Sequence, residues 1–401
     1  MRVLHVIPSV SSVDGGSSRA MMLMEQSLSA AGVSVTTITT DDDGPGCRLA
    51  DVNRPAEVHG ARRVYVRKWS DSYKFAPALL IWLERHLHDF DVLHVHALFS
   101  FSSVAAALMA WRKDVPYVIE PLGTLTNYGM KQRRPIAKRV SLALFERRIL
   151  ERAAAVHFTS EAEFEEAKDL AIPLSGVVIP LGAEAASAQS SVALLRDYPI
   201  LGDRTVLLFL SRLDPKKNLE GLLKAFAALD PAKRKLVLLI AGAGEPTYTE
   251  SLKYLARCLN VDDEVIWFGH VEHDTKAAVF ASADIFVLPS LSENFGMAAA
   301  EALLAGLPCV LGRGVAIARE IEASGAGLMV DPTPQDIAAA VSRLVGDEDL
   351  RHSMGEAGKK LAGELFSTSV MAARLISLYE EVAVSSKSKP CNVARHARPM
   401  I

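Results

Sequence analysis

The sequence predicts an α/β protein with two doubly wound, Rossmann-like domains. Short runs rich in β-branched residues alternate with longer amphipathic stretches along almost all of the 401 residues. The short runs are apolar on both faces, which is typical of buried strands in parallel sheets. Residues 183–203 interrupt the alternation with small and polar side chains, and a second series then begins. Since alternating strands and helices build right-handed βαβ units, each series predicts one doubly wound sheet.

The first series predicts seven strands with helices between them. The strands are expected at 3–7, 33–39, 64–66, 91–96, 117–120, 155–160 and 177–180, and amphipathic helices at 17–31, 75–88, 101–111 and 136–152. Ligands of open α/β sheets bind beyond the carboxyl ends of the strands. A functional site is therefore expected in the loops that follow the strands.

The second series predicts six more strands and a closing helix. The strands are expected at 205–210, 235–242, 265–269, 284–290, 308–312 and 327–330. Residues 183–203 are interpreted as the interdomain linker. We therefore place an N-terminal domain at 1–190, a second domain at 200–366 and a helix at 367–384. Residues 385–401 are polar, basic and without periodicity, and are expected to form a flexible tail.

Composition narrows the class of protein. The net charge of −3 gives no support to a nucleic-acid partner. The four cysteines are far apart and lack the spacing of metal ligands, which favours reduced thiols. No stretch approaches the ~18 consecutive apolar residues of a membrane-spanning helix, and the N-terminal apolar run is too short for a signal peptide. We expect a cytoplasmic protein that at most rests on the inner face of a membrane.

A pair of glycines follows the first predicted strand. Gly15 and Gly16 lie in "PSVSSVDGGSSRAM" and precede a helix. Glycine lets the backbone approach an anion, and the amides at a helix start attract phosphate. The dinucleotide pattern G-x-G-x-x-G is absent, which disfavours a nicotinamide cofactor. A simple turn and a phosphate contact explain this pair equally well.

A basic loop follows the first strand of the second domain. In "LFLSRLDPKKNLEGLLKAF", Arg212 leaves the strand, and Lys216, Lys217 and Asn218 precede a helix. A guanidinium and an ammonium together neutralise a diphosphate and the charge that develops on it during bond cleavage. Solvated surface charges are the alternative, and the position at a strand exit favours function.

Two glutamates lie eight positions apart in "SENFGMAAAEALLAG". Glu293 occupies a strand-exit loop, and Glu301 lies in the apolar helix that follows. Carboxylates accept hydrogen bonds from the hydroxyls of sugars and ribose. The amides of residues 294–297 are expected to be available to a ligand at the helix start. Two ordinary surface glutamates are the alternative, but Glu301 in an apolar run needs a buried partner.

Together these motifs resemble the GT-B glycosyltransferases, specifically the retaining, nucleotide-sugar-dependent family 4. The resemblance extends over most of the chain and includes "TSEAEFEEA", "VIPLGAE", "SRLDPKKN" and "DIFVLPSLSENFGMAAAEALLAGLPCVL". It implies an interdomain cleft, with the donor bound by the second domain and the acceptor by the first. It also implies that the last helix crosses back to the N-terminal domain. No cofactor or metal is expected beyond the nucleotide-sugar co-substrate.

The resemblance assigns roles to individual positions. Arg212 and Lys217 should hold the donor diphosphate with help from the backbone of Gly15 and Gly16, and Glu293 should contact the donor sugar near the reacting carbon. Arg212, Lys217 and Glu293 are thus the candidate catalytic residues. The remaining donor-binding candidates are the backbone of Asn294, Phe295, Gly296 and Met297 for the sugar, Glu301 for the ribose, and the backbone at Val271 for the base.

One position departs from the family pattern. Many relatives carry a histidine in the loop after the fifth strand, where this chain has Leu122 in "IEPLGTLTN", with Glu120 nearby. His96, which with His94 lies in "DVLHVHALFS", is a candidate substitute, although a structural role is favoured. Same-face retaining transfer depends mainly on positioning and charge stabilisation. The departure therefore affects the assignment of N-domain residues more than the class of reaction.

Two further segments invite interpretation. "TTDDDGPG" at 39–46 is interpreted as a loop with solvated aspartates, and metal binding there is disfavoured. The basic amphipathic stretch 131–152 carries Leu142, Leu144, Phe145, Ile149 and Leu150. It is either a peripheral membrane contact next to lipid-linked acceptors or an ordinary core-facing helix.

The sequence thus predicts a retaining glycosyltransferase that uses a UDP- or GDP-sugar. The acceptor is expected to be a bacterial surface polysaccharide or a lipid-linked glycan. The alternatives are a nucleotide-sugar epimerase on the same scaffold and a catalytically degenerate homologue that only binds nucleotide sugar. Leu122 supports the degenerate homologue, whereas the basic pair and both glutamates argue against it.

Overall fold

The structure is a computed structural model of the 401-residue chain. It describes residues 1–10, 16–44, 47, 48, 52, 55–58, 60–131, 134–184, 198–271 and 273–387. The chain divides into two compact units. Unit 1 contains Met1–Phe158, Ala167–Ile179 and the chain from Ala372 onward, and unit 2 contains Thr159–Glu166 and Pro180–Met371.

Unit 1 is built on an eight-stranded sheet. Its strands are β1 Arg2–Val6, β2 Ser34–Thr40, β3 Pro55–Val58, β4 Ala61–Val66, β5 Val92–His96, β6 Tyr117–Glu120, β7 Ala155–Phe158 and β8 Gly176–Val178. Their order is β3-β4-β2-β1-β5-β6-β7-β8, and every pair is parallel except β3 with β4. The strand order reverses direction between β1 and β5, which is where ligand sites of such sheets form.

Unit 2 is built on a six-stranded parallel sheet. Its strands are β9 Thr205–Leu210, β10 Leu236–Ala241, β11 Val265–Gly269, β12 Ile285–Leu288, β13 Cys309–Gly312 and β14 Gly327–Val330. Their order is β11-β10-β9-β12-β13-β14. This is the 3-2-1-4-5-6 order of the Rossmann fold, so the switch point lies between β9 and β12.

Helices connect the strands in both units. They are α1 Gly16–Ala30, α2 Ala78–His86, α3 Phe101–Arg112, α4 Asn127–Lys131, α5 Pro135–Ser141, α6 Arg147–Arg152, α7 Glu161–Lys168, α8 Leu219–Ala228, α9 Pro231–Arg234, α10 Pro246–Cys258, α11 His273–Ala281, α12 Met297–Leu304, α13 Ala318–Ala323, α14 Pro334–Val345, α15 Glu348–Leu365 and α16 Thr368–Lys387. A π-helical segment, Leu142–Glu146, joins α5 to α6. No helix in the described part of the chain is long and apolar enough to cross a membrane.

The sheets form the cores of the two units. The central strands β5 and β12 are buried at every position, as expected for strands covered on both faces. In unit 1, helix α16 packs Tyr379 against the sheet, where this side chain is fully buried. In unit 2, Phe209, Phe226 and Phe286 are among the large side chains that are fully buried.

The predicted fold class is confirmed, and twelve of the thirteen predicted strands lie within two residues of their expected ends, whereas β4 begins three residues before the predicted start at Val64. The short edge strand β3 was not predicted, because it begins with Pro55 and is partly exposed along its length. The predicted helix 136–152 contains the π-helical segment, and the closing helix continues to Lys387. Residues 185–197 of the predicted linker and 388–401 of the predicted tail lie outside the described residues.

Candidate functional site

Two loops of unit 2 meet at the switch point of its sheet. Strands β9 and β12 pair through Leu207 with Ile285 and Leu208 with Phe286. Beyond the ends of these strands, the amide of Leu291 donates to the carbonyl of Lys216 at 2.8 Å. The basic loop after β9 and the glutamate loop after β12 are therefore held side by side.

The loop after β9 is shaped by its own polar residues. The side chain of Asp214 accepts from the amide of Lys216 at 3.0 Å and caps a short 3-10 turn. Asn218 follows with a φ of 58°, in the left-handed region that asparagine tolerates well. Its side-chain amide donates to the carbonyl of Pro332 at 2.8 Å. Asp214 and Asn218 thus have structural roles, and the basic side chains remain as the candidates for ligand binding.

Lys217 and Glu293 form a buried ion pair. The ammonium of Lys217 donates to Oε1 of Glu293, which also accepts from Oγ of Ser290 at 3.2 Å. Burial lowers the pKa of Lys217 to about 7, and the nearby charges of Lys216 and Arg212 act in the same direction. The ion pair opposes this shift, because direct contact with a carboxylate favours the ammonium form.

Arg212 lies beside this pair and is exposed. Within the described residues its guanidinium has no carboxylate within ion-pair distance. The positive charge of Arg212 is close enough to lower the pKa of Lys217. Arg212 also lines an open cavity of about 360 Å³, together with residues of the loops after β9 and β10: Leu213, Asp214, Pro215, Ala243, Gly244, Glu245 and Tyr248. An arginine that lines a cavity and has no carboxylate partner within the described residues is suited to an anionic group.

The turn between Glu293 and α12 presents backbone amides. Gly296 has a φ of 104°, and a Cβ on it would lie 2.8 Å from Cγ1 of Val315, so a side chain is excluded there. Considering the described residues only, the amides of Asn294, Phe295 and Gly296 have no acceptor. Met297 is the first residue of α12. Together with the helix start, these amides form a place for oxygen atoms of a ligand.

The side chains of the same turn hold it in place. Phe295 is buried and meets Phe366 edge-on, with ring centroids 5.6 Å apart. The side-chain amide of Asn294 donates to Oγ1 of Thr159 at 3.3 Å. The amide of Glu293 donates to the carbonyl of Gly314 at 2.7 Å. The prediction that the backbone of this turn is available is consistent with these contacts.

Glu301 lies on the buried face of α12 and has a partner that the sequence reading did not identify. Lys276 of α11 donates to Oε1 of Glu301 at 2.5 Å. The other oxygen, Oε2, is buried and makes no hydrogen bond to any residue that the structure describes. Since buried carboxylate oxygens are normally satisfied, Oε2 stands out as an acceptor without a partner in the described part of the chain.

The remaining site candidates lie elsewhere. Val271 is half-buried and follows the edge strand β11. Gly16 is the exposed first residue of α1 in unit 1, and Gly15 lies outside the described residues. The structure thus brings together Arg212, Lys217, Glu293 and the turn that leads to the helix of Glu301.

The histidines of β5 are structural, as the favoured interpretation had it. His96 is buried, and both ring nitrogens are occupied, by Glu120 and by His5. Burial lowers the pKa of His96 to about 3, so the ring stays neutral. The idea that His96 substitutes for the missing family histidine is therefore wrong. Leu122 itself follows β6 with a φ of 52°, which is uncommon for a branched side chain.

The aspartate run at 39–46 was interpreted as solvated, and this is wrong. Asp41 and Asp42 are buried. Asp42 pairs with Lys68 and Lys74, and Asp41 accepts from the amide of Lys68 at 2.7 Å. These contacts join the ends of β2 and β4.

The basic stretch 131–152 agrees in part with each of its two interpretations. Ile149 and Leu150 are buried, as expected for a core-facing helix, whereas Leu144 and Phe145 are exposed, as a membrane contact requires.

Family models match both halves of the chain. The model described as "Glycosyl transferase 4-like domain" matches residues 15–182, and "Glycosyl transferases group 1" matches residues 193–361. The chain is 28% identical over 402 residues to phosphatidyl-myo-inositol mannosyltransferase from Mycobacterium leprae, which covers 96% of this chain and 98% of that protein. It is 33% identical over 181 residues to D-inositol 3-phosphate glycosyltransferase from Corynebacterium glutamicum. The second match covers 44% of this chain and 43% of the length of that relative, which is less than half of it.

Solved structures share the fold at low sequence identity. Sucrose-phosphate synthase from Thermosynechococcus elongatus is 20% identical, with a TM-score of 0.78 over 96% of this chain and 100% of that one. The Anabaena protein HepE in complex with UDP and glucose is 18% identical, with a TM-score of 0.75 over 95% of this chain and 100% of that one.

Proposed function

Because this chain belongs to the family 4 glycosyltransferases of the GT-B fold, we propose that it transfers a sugar with retention from a UDP- or GDP-sugar to an acceptor hydroxyl. The observation that carries the proposal is the meeting of Arg212, Lys217 and Glu293 at the switch point of unit 2. Two cations next to a carboxylate suit a ligand that is anionic at one end and rich in hydroxyls at the other.

The proposed donor lies with its diphosphate against Arg212 and Lys217. Glu293 accepts from hydroxyls of the donor sugar, and the amides of residues 294–297 donate to the sugar oxygens. Oε2 of Glu301, which lacks a partner within the described chain, accepts from a ribose hydroxyl. The backbone at Val271 contacts the base.

In the proposed reaction the bond between the anomeric carbon and the β-phosphate oxygen breaks. The acceptor oxygen attacks the same face of the sugar, and its proton passes to the departing phosphate. The nucleoside diphosphate leaves with the bonding electron pair. Arg212 and Lys217 stabilise the negative charge on the departing phosphate. Such electrostatic stabilisation is usually the largest contribution to catalysis. The transfer needs no metal ion in this scheme.

The proposed acceptor is a bacterial surface polysaccharide or a lipid-linked glycan. Support comes from the named activity of the mycobacterial mannosyltransferase and from an exposed face of unit 1. We call this face the α5 surface; it consists of Ile136, Val140, Leu144 and Phe145, all exposed. Arg134 is the N-cap of α5, and Arg139, Arg147 and Arg148 lie on the helical segment that carries these side chains. Apolar side chains among cations are suited to an anionic lipid surface, so we place the enzyme in the cytoplasm, peripheral to the inner membrane.

One observation favours a second candidate, a catalytically degenerate homologue that only binds nucleotide sugar. Leu122 replaces the histidine of many relatives, and His96 at the end of β5 is buried with both ring nitrogens occupied. An epimerase is the third candidate, and its reaction would change the donor sugar without an acceptor.

The test is a two-step assay on the full chain. A thermal-shift screen over UDP, GDP and their sugars identifies the donor, because a ligand of the folded state raises the melting temperature. Release of nucleoside diphosphate is then measured with and without bacterial lipid and glycan extracts. Acceptor-dependent release with a new glycosidic product supports transfer. Binding without turnover indicates the degenerate homologue, and an altered sugar without acceptor indicates the epimerase.

A further inference from the structure

Five titratable side chains line one face of four adjacent strands in unit 1. His5 of β1 pairs in register with His94 of β5, and His96 of β5 pairs with Glu120 of β6. Ile119 of β6 pairs in register with Val156 of β7. The next residue on each strand is therefore also a neighbour of the other, which places His157 beside Glu120. Alternate residues of a strand share a face, so His94 and His96 point to the same side. All five side chains are at most 1% exposed.

Part of this cluster is held by hydrogen bonds. A 2.7 Å bond joins Nδ1 of His5 to Nε2 of His96, whose Nδ1 bonds Oε2 of Glu120. Nδ1 of His94 bonds the hydroxyl of Tyr379 at 2.7 Å. Nε2 of His157 donates to the carbonyl oxygen of Ile179 at 2.8 Å. Each ring is therefore fixed in orientation by at least one neighbour.

Four polar atoms of the cluster are left over. Nε2 of His5, Nε2 of His94, Nδ1 of His157 and Oε1 of Glu120 are buried and have no partner among the residues that the structure describes. Buried polar atoms in proteins are nearly always satisfied, and an unpaired one is destabilising. Four such atoms in one cluster indicate that something other than protein occupies the space between them.

The leftover atoms have the chemistry of metal ligands. A carbonyl oxygen only accepts, so Nε2 of His157 carries the hydrogen, and Nδ1 of the neutral ring presents a lone pair. Metal-binding histidines commonly donate their other N–H to a backbone carbonyl in this way. Burial lowers the pKa of His94 and of His157, which keeps the rings neutral, as ligation requires.

Geometry selects one set of ligands. The ligand atoms of His94, Glu120 and His157 lie within 4.8 Å of one another, as do those of His5, His94 and His96. The second set would have to break a hydrogen bond of His96, whereas each member of the first has a leftover atom. Ligand atoms at 2.0–2.1 Å from a tetrahedral zinc ion lie about 3.3 Å from one another. Small side-chain movements would therefore bring the ligand atoms of His94, Glu120 and His157 to zinc-binding distances.

We propose that Nε2 of His94, Nδ1 of His157 and Oε1 of Glu120 bind one divalent transition-metal ion, with zinc the best match, inside unit 1. Two imidazoles and a carboxylate are a ligand set that zinc accepts. The ion ties β5, β6 and β7 together beneath helix α16, whose Tyr379 orients His94. Its role is structural, and it uses none of the donor-site residues of unit 2.

The experiment measures metal binding by the full chain. Protein produced with added zinc and dialysed is expected to retain one zinc ion per chain by elemental analysis. Protein treated with a chelator is titrated with Zn²⁺ and, separately, with Co²⁺. We expect a rise in melting temperature of about 5 °C at one hundred times the Kd of zinc. Cobalt should give the visible absorption of a four-coordinate site, with two nitrogens and one oxygen from the protein and a water molecule as the fourth ligand.

Variants locate the site. His157→Gln and Glu120→Gln each remove one ligand and should abolish the cobalt spectrum. Tyr379→Phe keeps the ring but removes the hydroxyl next to His94, and should weaken zinc binding about 10–100-fold. His88→Gln, at an exposed histidine, is the matched control and should change nothing.

The proposal is overturned if chelator-treated wild-type protein neither gains melting temperature with zinc nor shows a cobalt spectrum. It is also overturned if folded His157→Gln binds zinc as wild type does. Should the ligand variants fail to fold, the wild-type spectrum and the comparison of Tyr379→Phe with His88→Gln decide the question. Glycosyl transfer is not part of this readout, so failure here leaves the proposed function standing.

Discussion

The ammonium of Lys217 contacts the carboxylate of Glu293 across the two central strands of unit 2, although 76 residues separate them in the sequence. Both side chains are largely buried, at 6% and 14% exposure. The pair links the loop proposed to hold the diphosphate with the loop proposed to hold the sugar.

The first prediction concerns the energy of this pair. Removing one member leaves the other charge buried and unpaired, which costs about 3–5 kcal/mol. We expect Lys217→Met and Glu293→Gln each to lower the free energy of unfolding by about that amount. The double variant should lose less than the sum, because no unpaired charge remains. Urea denaturation of the four proteins checks this cycle, and strict additivity would show that the side chains do not interact.

The second prediction separates binding from stability. Arg212 is exposed and has no carboxylate partner in the described structure, so Arg212→Ala should change the free energy of unfolding by less than about 0.5 kcal/mol. Its loss should still weaken donor binding about 10–100-fold, as expected for one charge-assisted contact. Calorimetric titration with the donor measures both outcomes against Lys233→Ala, an exposed lysine of the same unit. Unchanged titration heats for Arg212→Ala would show that Arg212 does not contribute to donor binding.

The third prediction assigns Glu301 to the nucleoside. Glu301→Gln retains the shape of the side chain but weakens its contact with Lys276 and with a ribose hydroxyl. The affinity for the nucleoside diphosphate should fall about tenfold, whereas the affinity for inorganic pyrophosphate should stay the same. Arg212→Ala, in contrast, should weaken both ligands. Equal loss of both ligands in Glu301→Gln would place Glu301 at the phosphates or identify it as purely structural.

The fourth prediction concerns pH. Burial lowers the pKa of Lys217 to about 7, and contact with Glu293 acts in the opposite direction, so the free protein loses this positive charge as pH rises above about 7. A bound diphosphate favours the charged form, so binding above about pH 7 takes up a proton and the affinity falls with rising pH. A nucleotide sugar suits the measurement, because its diphosphate has no proton to lose in this range. Kd values from about pH 6 to about pH 9 should rise for wild type and stay flat for Lys217→Arg, whose guanidinium remains charged.

The fifth prediction concerns the α5 surface. The full chain should sediment with vesicles that contain phosphatidylglycerol and should stay in solution with phosphatidylcholine alone, because the flanking side chains are cationic. The double variant Ile136→Ser/Leu144→Ser should lose this binding, since both side chains are exposed and contribute apolar area. Ile81→Ser, at an exposed apolar residue of α2, is the control. Equal binding to both kinds of vesicle would show that charge plays no part.

Local sequence patterns were sufficient to predict most of the strands and helices. The strands of unit 2 are continuous apolar runs, and their ends were expected correctly because a buried strand is apolar on both faces. Both Lys217 and Glu293 were expected at strand exits of one sheet, whereas the ion pair between them was not predicted. Helix 136–152 was expected as one element because no glycine or proline in this stretch marks the π-helical segment.

Side-chain contacts between residues far apart in the chain could not be predicted from the sequence. Lys276 lies on a different helix from Glu301, and no local spacing connects the two residues. The histidine cluster of unit 1 depends on the register of four strands, since a shift of one residue would turn each side chain to the opposite face. The pattern "HVH" in β5 was the available signal, because two histidines at alternate positions of a buried strand must share one polar environment. The burial of Asp42 was missed because its partners, Lys68 and Lys74, follow a different strand.

The position of β9 between β10 and β12 has a consequence for how the protein acquires its ligand-binding competence during folding. A partly folded chain that has assembled β9, β10 and β11 contains Arg212 and Lys217 but not the carboxylate loop. Closing the longer connection to β12 is the entropically slower event. Recovery of nucleotide-sugar recognition after dilution from denaturant should therefore lag behind the recovery of helical signal, and the lag reports the docking of β12.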